Sequence, residues 1–280
     1  MIDTESTRKF EIPYNFDINY IDALNTCGLI NNSIEYIYMA PFHEDYMTIL
    51  RADPYGSRQL TRDQYVMHIQ KIRKFFDGKM QLLLQKKDKI MPLETLKWYL
   101  DLGFTCFCCG NPEQAKLIKE YDNNLTVIGS IVLHLTRKDL EADYNNKYYE
   151  KYFDKFVLDF SYGRHIEKIK ILPETKKYMI LVNSYCNNRC RGDQHWNIKT
   201  EYDPFVCPGK IFETHDFAEC VLIRPMDLKY FDPYIDVYKI QDRSWPTADI
   251  IRDIILYTTD YTLYPGIEYS ETIYDTDDRM

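Results

Sequence analysis

No run in this 280-residue chain approaches the ~18 consecutive apolar residues of a spanning helix. The opening residues, from Met1 to Lys9, also lack the apolar centre of a signal peptide. These absences lead to the expectation of a soluble, cytoplasmic protein with no membrane partner. Neither a Gly-x-Gly-x-x-Gly turn nor a phosphate loop occurs, so nothing supports a nucleotide cofactor. There is no internal repeat and no low-complexity linker, which leaves a single domain over residues 1–280 as the expectation. Positive charge is in deficit: 35 Lys and Arg face 43 Asp and Glu, a formal charge of −8. A field of that sign repels nucleic acid, which is therefore not an expected partner.

What the chain does have is an ordinary globular composition, 45% hydrophobic and 28% charged, and eight cysteines. Without an export signal, those thiols point to metal binding before disulfides. Short apolar runs alternate with helical patterns. Strands are expected at residues 35–40, 80–84, 104–109, 125–132, 155–160, 178–182, 220–225 and 235–240, with helices between them. Eight strands joined by crossovers favour an α/β fold, a (β/α)8 barrel, over an open sheet. Residues 1–34 read as polar and mixed with one short helix, and residues 268–280 as an acidic tail.

The chemistry concentrates in a loop at residues 184–220, after the sixth expected strand. It carries Cys186, Cys190, Cys207 and Cys220, with Pro208 and Gly209 allowing a tight turn after the third. Two thiols from one loop and two more distant ones can supply four soft ligands, and the reading is a four-cysteine iron-sulfur site. Structural zinc is the rival: it also takes four thiolates and can recruit His195 or His215. A radical S-adenosylmethionine signature is incomplete, because Asp193 stands where its third cysteine would be.

The late cysteines after an Asn-bearing strand end, followed by a last strand reading Tyr238-Lys239-Ile240-Gln241-Asp242-Arg243, resemble the collagenase-like peptidase family (peptidase family U32). That family usually ends its last strand Lys-Ile-Glu-Gly-Arg, so Lys239 and Arg243 match while Gln241 and Asp242 depart. The resemblance implies a TIM barrel holding a [4Fe-4S] cluster. It also implies kinship with oxygen-independent hydroxylases of tRNA, ribosomal RNA and ubiquinone precursors.

In a barrel, residues just after each strand share one mouth. His43 and Glu44 follow the strand at 35–40, and with His195 they are the proton-transfer candidates. Asn183, Arg224, Lys239 and Arg243 close later strands, and the three cations suit a small anionic or aromatic substrate. The alternative for Arg224 is a structural pair with Asp227. Cys106 and Cys108 read as core, with Cys109 the one placed to reach the pocket. The expected function is thus an iron-sulfur enzyme acting on a small molecule. Two alternatives stand: a zinc- or cluster-stabilised binding module or partner subunit, and a peptidase, for which no nucleophile and base constellation can be picked out.

Overall fold

Several strands of this chain, among them Ile34–Met39, Cys106–Cys109 and Tyr178–Leu181, are short and nearly continuous apolar runs, the pattern expected when both faces of a parallel sheet are covered. The computed structural model describes residues 8–31, 33–43, 60–133, 151–159, 162–163, 165–183, 223–241 and 246–258. In it eight parallel strands close into a ring. They are β1 (Phe10–Pro13), β2 (Ile34–Met39), β3 (Lys79–Leu84), β4 (Cys106–Cys109), β5 (Thr126–Gly129), β6 (Lys155–Val157), β7 (Tyr178–Leu181) and β8 (Val237–Lys239). The ring shuts where Glu11 of β1 pairs with Lys239 of β8. The helices of the outer layer include α1 (Tyr20–Thr26), α2 (Arg62–Phe75), α3 (Leu93–Asp101), α4 (Pro112–Tyr121), α5 (Ile166–Lys170), α6 (Leu228–Phe231) and α7 (Thr247–Thr258). None of the described helices is long and apolar enough to cross a membrane.

Local chemistry sets the boundaries. Thr61 and Gln64 form a reciprocal capping box that starts α2. Asn111 caps α4 by accepting from the Glu113 N–H at 2.9 Å, with Pro112 at the first helical position. Between β4 and α4, Gly110 leaves no room for a side chain: an added Cβ would collide with the Gln85 carbonyl oxygen and sit 2.5 Å from Val132 Cγ2. Gly110→Ala is therefore expected to cost about 1–3 kcal/mol, read as a lower urea midpoint at unchanged slope.

Two expectations about the strands are corrected. The first strand lies at residues 10–13, inside the stretch read as polar and mixed, because Glu11 and Pro13 interrupt its apolar pattern. The run at 220–225 contributes no rung: β7 pairs directly with β8 through Met179↔Val237, Ile180↔Tyr238 and Leu181↔Lys239. Of that run, Ile223, Arg224 and Pro225 are described and lie outside any strand, while residues 220–222 fall outside the described residues. The number of strands is as expected, but the cysteine segment follows the seventh strand, not the sixth.

Candidate active site

Strand register decides which side chains enter the barrel, since paired residues on neighbouring parallel strands share a face and the face alternates along each strand. Contacts that skip a strand fix the sense. Glu11 and Gln81 sit on β1 and β3 with β2 between them. The Gln81 amide, oriented with its nitrogen toward the carboxylate, donates to both Glu11 oxygens at 3.1 and 3.3 Å. Likewise the Tyr38 hydroxyl of β2 donates to the Ile240 carbonyl beyond β8 at 3.1 Å. Both contacts cross the lumen. The inward set thus includes Glu11, Tyr38, Gln81 and Lys239, all buried.

These four form one polar knot. The Lys239 ammonium pairs with Glu11 and stands 3.6 Å from the centre of the Tyr38 ring, a cation-π contact. A charge pair with Glu11 0% and Lys239 7% exposed is costly to desolvate, so it needs this mutual satisfaction. Nearer the amino end, Lys79 and Lys155 lie over the Tyr36 ring at 5.8 and 5.4 Å, and Lys155 pairs with Asp236 and Glu35. Charge and aromatic surface therefore fill that end, leaving the carboxyl end as the approach for a ligand, as is general for this fold. At the carboxyl rim, Gln85 after β3 donates to Ser130 after β5 at 3.5 Å, again across an intervening strand.

Three sequence candidates converge on the carboxyl ends of β7 and β8. The Val182 N–H donates to the Lys239 carbonyl at 3.0 Å, and the Ile223 N–H donates to the Val182 carbonyl at 2.9 Å. Asn183, Arg224 and Lys239 are thereby neighbours in chain path. Asn183 accepts from the Gln241 N–H at 2.7 Å and donates to the Gln241 carbonyl at 3.2 Å and to Asp253 of α7 at 3.0 Å. Burial pushes the Asp253 carboxyl up, against the opposing hydrogen bond from Asn183 and the charge of Arg252. The Arg224 guanidinium is engaged by Asp227 through two contacts, one of 3.1 Å, so the structural pair is the arrangement present.

His43 is not brought to this quadrant. Its ring nitrogen lies 2.9 Å from the Tyr99 hydroxyl and its ring packs edge-on against Trp98, both on α3 in the outer layer. Cys109 is corrected too: it pairs with Leu84 and Gly129 on the outward face, whereas Cys106 and Cys108 pair with Gln81 and Leu83 and face inward. All three are buried, and desolvation raises the thiols of Cys106 and Cys109 well above the ordinary range, which keeps them protonated and inert. Cys27, exposed just after α1, stands apart.

Glu44, Arg243, His195, His215 and the four candidate ligands Cys186, Cys190, Cys207 and Cys220 lie outside the described residues. Among the described residues no group of three or more His, Cys, Asp or Glu is placed to hold a metal ion. Sequence reading passed over Glu11, Tyr38, Gln81, Asp253 and Tyr257. A charge inside Phe10-Glu11-Ile12 and an amide inside Met80-Gln81-Leu82 were the available signals for two of them.

Comparison with known proteins adds one partial likeness. Over 125 residues the chain is 30% identical to an uncharacterized protease of Methanocaldococcus jannaschii, a match covering 39% of this chain and 37% of that protein. The chain thus spans little more than a third of the relative it matches. No family model matches it. Among solved structures, a U32 peptidase is similar at 12% identity and a TM-score of 0.48, covering 86% of this chain and 96% of that one. Orotidine 5'-monophosphate decarboxylase of M. jannaschii is similar at 12% identity and a TM-score of 0.44, covering 90% and 99%.

Proposed function

We propose that this chain is an iron-sulfur enzyme whose active site lies at the carboxyl mouth of the barrel, over β7 and β8. The observation that carries the reading is the junction at Val182 and Ile223. The two ends of the cysteine-bearing segment meet there through the 2.9 Å hydrogen bond. Chain connectivity holds Cys186 within three residues of Asn183, and Cys220 within three of Ile223, at most about 11 Å in each case. The donor set fits as well. Three of the eight cysteines are buried on β4, and the quartet of Cys186, Cys190, Cys207 and Cys220 supplies the soft thiolates that a [4Fe-4S] centre takes. Such a group, when bound, contributes electron transfer or Lewis acidity.

The chain's own residues set the rest. The Glu11, Lys239, Gln81 and Tyr38 knot forms a rigid polar floor, and Gln85 and Ser130 offer uncharged hydrogen-bonding groups at the rim. Because Arg224 and Lys239 already hold carboxylates, the floor and rim favour an aromatic or amide-bearing small molecule over one recognised by those two cations. His195 and Glu44 remain the proposed proton carriers. The alternative, a peptidase, draws on the stretch shared with a protein named as a protease.

One preparation separates these readings. Oxygen-free purification followed by iron, sulfide and zinc analysis is expected to give roughly four irons with matching sulfide per chain. One zinc without iron would favour a metal-stabilised binding module or partner subunit. Hydrolysis of a peptide mixture that survives removal of the metal would favour the peptidase.

A further inference from the structure

Helix α7 presents two polar side chains one turn apart, Asp253 and Tyr257, on the same face as buried Ile250 and Ile254. The Tyr257 hydroxyl lies 3.0 Å from the Val182 carbonyl and 2.8 Å from the Ile223 carbonyl, so a single donor spans the place where the chain leaves the barrel and the place where it returns. Four residues earlier, Asp253 accepts from Asn183, which in turn bridges both the N–H and the carbonyl of Gln241 after β8. One helix, 70 and 75 residues beyond Asn183 and Val182 by these contacts and 34 beyond Ile223, thus holds three backbone ends at one corner of the rim.

Plain helix packing does not need this arrangement, since Ile250 and Ile254 already bury the apolar face. A carboxylate 2% exposed, whose other oxygen meets Arg252 at 3.5 Å, and a tyrosine 5% exposed both reach this junction, a costly way to fasten a loop whose position does not matter. We infer that Asp253 and Tyr257 form a clasp of positioning residues, fixing the Val182, Asn183, Ile223 and Gln241 corner so that the flanking cysteines meet around one inorganic centre. The inference rests on the iron-sulfur reading. It adds residues that contact neither the proposed centre nor substrate, in the way that outer-shell partners of metal sites hold their ligands in register.

The test uses the full chain, purified without oxygen and compared in loaded and metal-free forms. Tyr257→Phe removes one hydroxyl and leaves the Ile223 to Val182 hydrogen bond in place, so the fold is retained. Iron is expected to leave this variant roughly tenfold faster under a chelator, with an altered electron paramagnetic resonance line shape in the reduced cluster. Asp253→Ala is expected to do the same, while Asp253→Asn, which keeps an acceptor for Asn183, restores near-native retention. Unchanged retention and spectra in both Tyr257→Phe and Asp253→Ala overturn the clasp while leaving the iron-sulfur reading intact. Equal loss of melting temperature in loaded and metal-free forms, with normal spectra, also overturns it, because the residues then serve folding alone. Wild-type protein without iron and sulfide overturns the underlying reading, and the clasp with it.

Discussion

Cys186→Ala is expected to emerge from oxygen-free purification colourless, without bound iron and without activity, while Cys106→Ala stays brown and active. The contrast follows from where each sulfur stands. Cys186 is three residues beyond Asn183 in sequence and is proposed as one of four ligands; a four-ligand centre that loses one thiolate loses much of its hold. Cys106 is 0% exposed on the inward face of β4, beside Cys108 and near Lys79 and Lys155. Desolvation raises its thiol and keeps it protonated, so it behaves as a small apolar filler. Its truncation should cost roughly 1 kcal/mol of stability through the vacated volume, and no iron. Full iron content in Cys186→Ala, or equal loss in the two variants, would refute the assignment. The readouts are iron per chain and visible absorbance.

The second large effect concerns the seam that closes the ring. Lys239→Met is expected to destabilise the protein by about 3–5 kcal/mol, because it leaves the Glu11 carboxylate, 0% exposed, with no compensating cation. Gln81 would still donate to that carboxylate, yet a neutral amide cannot replace the ammonium. The double variant Glu11→Gln with Lys239→Met should recover much of the loss, since no buried charge then remains and the residues are of similar volume. Urea unfolding of the two singles and the double gives the coupling directly. A loss below about 1 kcal/mol in Lys239→Met would mean that the pair is more hydrated than its burial indicates.

The knot also shows what the sequence could and could not convey. The runs at 35–40, 80–84, 104–109 and 178–182 were legible as strands because both faces of a parallel sheet are buried, which writes the element as an unbroken apolar stretch. β1 was not, since a lumen-facing glutamate and a proline break its four residues, and the environment that tolerates them is supplied by β3 and β8. The run at 220–225 carried the same apolar signal as a true strand, but β7 and β8 already pair with each other and leave no place for it. Asn183 was found because it ends an obvious strand. Its partners Asp253 and Gln241 are 70 and 58 residues away, and no local pattern announces such a meeting. Arg224 was legible in both its roles, and the pair with Asp227 three residues on is the one the structure displays. His43 was placed after a strand correctly, but the aromatic surface of α3 turns it toward the outer layer.

The most direct measurement is anomalous diffraction at the iron edge from crystals grown without oxygen. The account predicts one iron peak above the carboxyl ends of β7 and β8, ringed by the sulfurs of Cys186, Cys190, Cys207 and Cys220. Those four sulfurs dispersed over the surface or joined as two disulfides, with no iron peak at that rim, would contradict it.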